Sequence, residues 1–352
     1  MRKKIIYFLL IFILYLFIEE IFSQMYKYGP LLEDEVWSIL DQPVFIKDNL
    51  IIPEDVVLVI KRGVTVYIDE RKDRPIKIIV KGGLRIDGFK NKRVVFKPRT
   101  NNIPGPSWYG IIFDNPNDAN TFILNADIED AYYGIYVKNA SFTIKNTVVK
   151  NCKIGMYIDS LSDMVVINSI FDHNDVAGIF VNSGDLMVAS TIFYNNLNYG
   201  IYCSSKKLDP TVVYNNFWGN VNKNVWNCKD KFLGIPYRSV FDSITNDSIY
   251  FDREDNVIAD PIFKNSSSER EKIKADLYRF QVDTNKINDK DFISMFIKKR
   301  KLRDPQRYKK GEYLLSPYSP CIDRGIPGEN YLDEDSTRND IGIYGGPFFP
   351  KF

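Results

Sequence analysis

Five aspartates, Asp159, Asp163, Asp172, Asp175 and Asp185, fall in one short stretch of the chain. Carboxylates held in pairs can do two kinds of chemistry. Flanking a glycosidic bond, one serves as acid and the other as base or nucleophile. Together they can hold Ca²⁺ through oxygen ligands. Asp163 and Asp185 are the catalytic candidates, because their spacing puts them at nearly equivalent points of a repeating unit. Aspartate is also favoured in turns for backbone reasons alone, so a structural reading stands beside the catalytic one. A second acidic run, Asp333, Asp335, Asn339 and Asp340, has the ligand types of a Ca²⁺ loop. It lacks the glycine and closing glutamate of an EF-hand. The favoured reading is a capping turn whose carboxylates accept backbone N–H groups, with Arg338 pairing to one of them. Ca²⁺ is the alternative, and no other cofactor is indicated. The chain has a single histidine, His173, which argues against a His-rich metal site and against most His-based acid–base schemes.

A second set of residues could bind rather than react. Tyr136, Tyr157, Phe180 and Tyr202 recur at one position of the repeat, flanked by Asp159 and Asn182. Outward rings beside hydrogen-bonding groups suit a sugar chain: rings stack on the apolar faces of sugars, and the polar groups read hydroxyls. Two structural alternatives remain open. The rings stabilise a sheet by stacking on one another, or the irregular C-terminal segments lie across them.

The element that must position these residues is set by a period of about 22 residues, the signature of a solenoid. Gly110-Ile111, Gly134-Ile135, Gly155-Met156, Gly178-Ile179 and Gly200-Ile201 mark it. Asp130, Asn151, Asn174 and Asn196 stand four residues before the later glycines. Runs such as Ile135-Tyr136-Val137 are too short for helices and rich in β formers. One such coil cannot bury its apolar face alone, whereas stacked coils close a continuous core. Alternation sends the residues one and three after each glycine inward, and the aromatic between them outward. The glycines are expected to supply positive φ at turns, and the asparagines to hydrogen-bond along the stack. The expected fold is all-β, a right-handed parallel β-helix with a capped N-terminal end and an irregular C-terminal region. A β-sandwich fits less well, since hairpin signals are missing between the repeats.

Several further stretches carry a resemblance. Ile51 to Val66, with Pro53 at its turn, resembles the opening coil of exported bacterial β-helix proteins of the pectin-lyase-like superfamily, except that Arg62 stands where a proline is usual. Gly105-Pro106-Ser107-Trp108-Tyr109-Gly110-Ile111 resembles the entry to that family's central repeats. Ala259-Asp260-Pro261-Ile262-Phe263, Ser319-Pro320-Cys321-Ile322-Asp323-Arg324-Gly325 and Asp333 to Gly346 are similar to its closing turns. The resemblance implies the fold. It leaves the function open, because the fold hosts lyases, hydrolases, epimerases and binders. The paired-Asp and His-Gly motifs of polygalacturonase-like members are missing.

Organisation follows. Residues 1–23 read as a signal peptide: Arg2-Lys3-Lys4, an apolar run from Ile5 to Ile18, then Ser23. Residues 24–43 form a polar entry segment, 44–263 the β-helix, 264–310 a charged insert with a short amphipathic helix near Phe292, and 311–352 the closing segment. The expected location is secreted, periplasmic or cell-surface, with no membrane span after cleavage. The net charge of +2, from 47 basic and 45 acidic residues, gives no reason to expect nucleic acid. Cys152, Cys203, Cys228 and Cys321 match no metal spacing; buried thiols and disulfides both remain open. Three functions compete: a polysaccharide binder using the aromatic ladder, a polysaccharide lyase or glycoside hydrolase using the aspartates, and an envelope scaffold whose insert at 264–310 contacts a protein partner.

Overall fold

The computed structural model describes residues 25–346 apart from 72, 101–104, 119, 231–232, 243–246, 265–312, 317–318 and 334. The leader and nearly all of the charged insert, including its expected helix, lie outside the described residues. The chain winds as a parallel solenoid of about 9 coils with about 23 residues per turn. Each regular coil lays one strand on each of three sides of a prism.

The back face holds Glu35–Trp37, Val57–Lys61, Gly83–Asp87, Phe122–Leu124, Ser141–Lys145, Asp163–Ile167, Asp185–Ala189 and Thr211–Val213, in sequence order. A second side, here called the strap face, holds Thr65–Ile68, Val94–Pro98, Ala126–Glu129, Val148–Lys150, Ile170–Asp172, Ile192–Tyr194 and Asn216–Trp218. The third, the ladder face, holds Lys77–Val80, Trp108–Asp114, Ala131–Lys138, Ile154–Asp159, Ala177–Val181, Tyr199–Cys203 and Lys223–Trp226. Val44–Ile52 bends over both of the latter faces. Met25–Pro30 pairs with it in parallel, so coils begin within the segment read as a polar entry.

Alternation builds the core. On the strap face Val66, Phe96, Ile128, Val149, Phe171, Phe193 and Phe217 follow one another in register, and all are buried. On the ladder face Ile135, Met156, Ile179 and Ile201 do the same. Strand stacking at ~4.8 Å joins these columns into one apolar interior.

The repeated glycines do a different job from the expected one. Of the five, only Gly110 has positive φ. The left-handed corner residues are instead Asp130, Asn151, His173 and Asn195 at one edge and Asn125, Asn146, Asn168 and Ser190 at another. Gly155, Gly178 and Gly200 are needed for close approach: a Cβ on Gly178 would lie 2.8 Å from the Gly200 carbonyl oxygen and 2.9 Å from Phe193 Cδ1. The inward Phe column fills the space that a side chain would take. The asparagine stack does form, one residue away from the corner. Asn174 Nδ2 donates to Asn196 Oδ1 at 2.9 Å, and Asn196 Nδ2 donates to Asn220 Oδ1 at 2.8 Å.

Cys203 and Cys228 form a disulfide on the last coils, while Cys152 and Cys321 are buried free thiols. The hairpin Arg238–Asp242 with Asp247–Phe251 departs from the parallel winding. The closing segment adds no coil in its described part. It packs outside the strap face, where outward residues Val148, Ile170 and Ile192 are 2%, 0% and 0% exposed. They form a second core with Leu314, Leu315, Ile322, Ile341 and Ile343. Asn146 Nδ2 donates to the carbonyls of Ile343 and Gly345, and Asn168 Nδ2 donates to that of Asp340. The corner asparagines thus tie the segment down as a strap.

Candidate functional site

The five aspartates do not gather. Asp159 ends a ladder-face strand, Asp163 and Asp185 begin back-face strands, Asp172 ends a strap-face strand and Asp175 follows a corner. Asp163 and Asp185 do sit opposite each other in register, as their spacing suggests. Both are exposed, with Ser141 as the next rung. The pair stands in the open on the back face.

The acidic run near the C-terminus is built into turns. Asp340 Oδ1 accepts from the Asp323 N–H at 2.9 Å, Asp333 accepts from the N–H groups of Asp340 and Gly346, and Asp335 accepts from Thr337. Among the described residues no three His, Cys, Asp or Glu groups converge as metal ligands. Arg338 pairs with none of these carboxylates. Its Nε donates to the Gly325 carbonyl, and its guanidinium lies over the Tyr214 ring.

The aromatic positions align as expected. Tyr136, Tyr157, Phe180 and Tyr202 occupy matching register points on successive ladder-face strands, and Trp226 continues the column. The described part of the strap crosses the strap face rather than this one. All four rings are half-buried, and Trp226 is 46% exposed. Tyr136 and Tyr157 stack at 5.1 Å, Tyr157 and Phe180 at 5.0 Å, and Phe180 and Tyr202 approach to 4.7 Å. Rings lying side by side in one plane could not bring their centroids this near, so each inner ring covers its neighbour's face. The ladder therefore offers ring edges and phenol oxygens along its length. Tyr109, Tyr132 and Tyr133 widen it at the upstream end. The run Tyr132-Tyr133 beside Gly134 carried that signal in the sequence.

Asp159 anchors the polar margin. Its carboxylate accepts from Asn182 Nδ2 at 3.0 Å, Tyr136 Oη at 3.0 Å, Ser183 Oγ at 3.3 Å and the Ser160 N–H at 2.8 Å. The Asn182 amide above all, then the Ser160 N–H, Tyr136 and Ser183, hold the carboxyl below the usual carboxylate range against a burial effect that raises it. Burial, with the Asp159 hydrogen bond and charge, pushes the Tyr136 phenol up. The site thus presents a fixed anion and neutral hydroxyls at neutral pH. Lys138 and Asp114 pair at 3.0 Å beside it.

The strap face carries a site that the sequence reading missed. Glu129, Lys150, Asp172 and Tyr194 form one outward column. A cleft of about 310 Å³ is lined by Ser107, Glu129, Asp130, Lys150 and Asn151. Burial raises the carboxyls of Glu129 and Asp130. Asp172 is nearly covered; burial raises it too, although it accepts from Tyr313 Oη of the strap at 2.6 Å and bonds His173 Nδ1.

Residues 83–232 match the family described as a right handed beta helix region. No curated protein and no solved structure matches the chain.

Proposed function

From the premise that the chain is a right-handed parallel β-helix repeat protein, we propose that it binds an extended polysaccharide along its ladder face. The observation that carries this reading is the in-register column Tyr136, Tyr157, Phe180, Tyr202 and Trp226, left half-exposed by the described part of the strap and bordered by the Asp159–Asn182 network. A polymer running along the axis meets an equivalent rung every ~4.8 Å. Because the inner ring faces are stacked on one another, recognition rests on phenol hydroxyls, on the Asp159 carboxylate and on ring edges. Trp226 ends the column, half exposed, and is the place for a sugar to stack.

Retention on a panel of immobilised glycans tests this. Trp226→Ala and Tyr157→Ala should each weaken retention, while Leu161→Ala, an exposed residue away from the column, should not. Retention that is unchanged in both column variants would sink the proposal. Export to an oxidising compartment belongs to the same reading. It rests on the leader-like residues 1–23 and is supported by the Cys203–Cys228 bridge. Sequencing the N-terminus of the secreted protein tests it, with Gln24 expected first.

A second reading, cleavage of a polysaccharide, is favoured by one observation only. The raised carboxyls of Glu129 and Asp130 share a cleft with Lys150, the kind of setting in which a carboxyl can keep a proton for acid catalysis. Product release from the same glycans that survives Glu129→Gln and Asp130→Asn would remove this cleft as its source.

A further inference from the structure

One strand end on the ladder face carries a negative charge that the chain leaves unmatched. Three lysines of this face stand where strands begin: Lys77 and Lys223 open theirs, and Lys153 precedes Ile154–Asp159. Each is engaged there, Lys77 over the Tyr109 ring at 4.5 Å, Lys153 on Tyr132 Oη at 2.8 Å and Lys223 over the Trp226 ring. At the strand ends Lys138, the rung next to Asp159, is turned to Asp114 at 3.0 Å. Among the described residues no basic group comes within ion-pair distance of Asp159. Lys153 lies at the far end of the same strand, roughly 20 Å away along an extended chain. Lys81 is three rungs upstream and Lys206 two rungs downstream, roughly 14 and 10 Å along the axis. These separations reach or exceed the screening length of physiological salt.

The Asp159 carboxylate is fixed by neutral donors. Oδ1 accepts three, the Ser160 N–H at 2.8 Å, Asn182 Nδ2 at 3.0 Å and Ser183 Oγ at 3.3 Å. Oδ2 accepts one, Tyr136 Oη at 3.0 Å. A carboxylate has about four lone-pair sites over its two oxygens, so the capacity that remains is on Oδ2. Those donors also keep the group ionised. Tyr136 commits its hydroxyl hydrogen to Asp159, so its oxygen meets a ligand only as an acceptor. The rung therefore presents one negative charge and two acceptor oxygens, on side chains that are half-buried rather than covered. A positively charged group with several N–H donors satisfies both oxygens at once. A hydroxyl brings one donor and no charge, and a carboxylate or sulfate is repelled.

We propose that the ladder face selects a polysaccharide of amino sugars, with a free ammonium group seated on Asp159 Oδ2 and Tyr136 Oη. This rests on the polysaccharide reading above and names the sugar class for the same face. The neighbouring strand ends do not repeat the seat: Asp114 is paired with Lys138, and the matching positions downstream are the neutral Asn182 and Ser204. One ammonium is therefore read per bound segment, and the remaining sugars meet phenol hydroxyls and ring edges. A chain that is only partly deacetylated still fits.

Titration calorimetry on the full chain tests this with three oligosaccharides of equal length: oligoglucosamine, its N-acetylated form and oligogalacturonate. Mildly acidic buffer keeps the sugar amine charged, while Asp159, held below the usual carboxylate range, stays ionised. Oligoglucosamine should bind tightest, by roughly tenfold over the N-acetylated form, the worth of one charge-assisted contact. The preference should shrink as salt is raised. Asp159→Asn should bind the amino and N-acetyl forms alike. Should that variant fail to fold, the wild-type chain still decides, through the preference and its loss in salt. Equal binding of the two forms by the wild-type chain, tighter binding of oligogalacturonate, or a preference that Asp159→Asn keeps would each overturn the proposal. The ladder-face reading survives any of these as long as Trp226→Ala weakens whichever oligomer binds. Binding of no glycan at all removes both.

Discussion

The strap face and the ladder face are made from the same coils, yet they use their outward residues in opposite ways. On the strap face Val148, Ile170 and Ile192 are outward and fully covered, because a segment more than a hundred residues later in the chain lies on them. On the ladder face Ile112, Tyr136, Tyr157, Phe180 and Tyr202 are outward and only half covered, mostly by one another. A solenoid side is thus either a docking floor or an open surface, and the outward side chains decide which. Aliphatic outward columns demand a cover. Aromatic ones partly cover themselves, since each ring buries its neighbour's face.

The sharpest way to break this comparison is to make the same change on both sides. Ile192→Ala should cost about 2–5 kcal/mol, as a fully buried aliphatic does. Ile112→Ala should cost about 1 kcal/mol, because a half-covered side chain removes less apolar area from water. Urea unfolding of both variants measures the difference. Equal losses would mean that the strap contributes little, and protease sensitivity near Leu314 in Ile192→Ala would show directly that it has lifted.

How much of this could be read beforehand depends on the residue. The solenoid, its period and the outward register of Tyr136, Tyr157, Phe180 and Tyr202 follow from strict alternation around each glycine. The covered face was also written in the sequence but not read. The doublets Val148-Val149, Ile170-Phe171 and Ile192-Phe193 break alternation with two adjacent apolar residues, the mark of a strand buried on both sides. What covers them could not be read, because Asn146 and Asn168 bond strap carbonyls roughly two hundred residues away and no local pattern encodes that pairing. The pairing of Asp163 with Asp185 is legible from their spacing, but the scatter of the other aspartates is not, for a related reason. Proximity in sequence placed Asp159, Asp163 and Asp172 together, and a coil that turns twice within those residues sends them to three different faces.

The next effect tests why the two faces meet where they do. Gly178→Ala places a Cβ 2.8 Å from the Gly200 carbonyl and 2.9 Å from Phe193. With normal φ there is no backbone relief to lose, so the cost is overpacking alone, about 1–3 kcal/mol. Shortening the ring below, by Phe193→Leu, should recover part of the loss in a double-mutant cycle. Strict additivity of the two changes would show that the glycine serves something other than close approach.

A smaller effect tests the electrostatics under the strap. Lys145 has its folded pKa lowered to about 8 from 10.5. Between those values the unfolded chain binds more protons than the folded one, so stability rises as pH climbs from 8 to 10.5, and the burden is fully present below 8. Lys145→Met should therefore stabilise the chain at pH 7 by about 1 kcal/mol, less than the full linkage because Asp333 loses a partner. It should also flatten the rise between pH 8 and 10.5. A variant less stable than wild type at pH 7, with the rise intact, would show that the amine is held there at no cost.

The smallest effect concerns the third side. Asp163 and Asp185 face each other across one rung of the back face, and both are exposed. Like charges directly opposite on neighbouring strands are unfavourable by roughly 0.2–1 kcal/mol. If the pair serves only the turns, Asp185→Asn removes the repulsion, keeps the turn chemistry and stabilises the chain by that amount. The gain should shrink in 1 M salt, where the screening length falls to ~3 Å. If instead the pair has a ligand that the repulsion serves, the same substitution should abolish a saturable, cation-dependent rise in the unfolding midpoint of the wild-type chain. The geometry favours the first outcome. The carboxylates lie in the open with Ser141 as the next rung, whereas Asp172, whose carboxyl burial raises, lies under the strap and is bonded by its Tyr313.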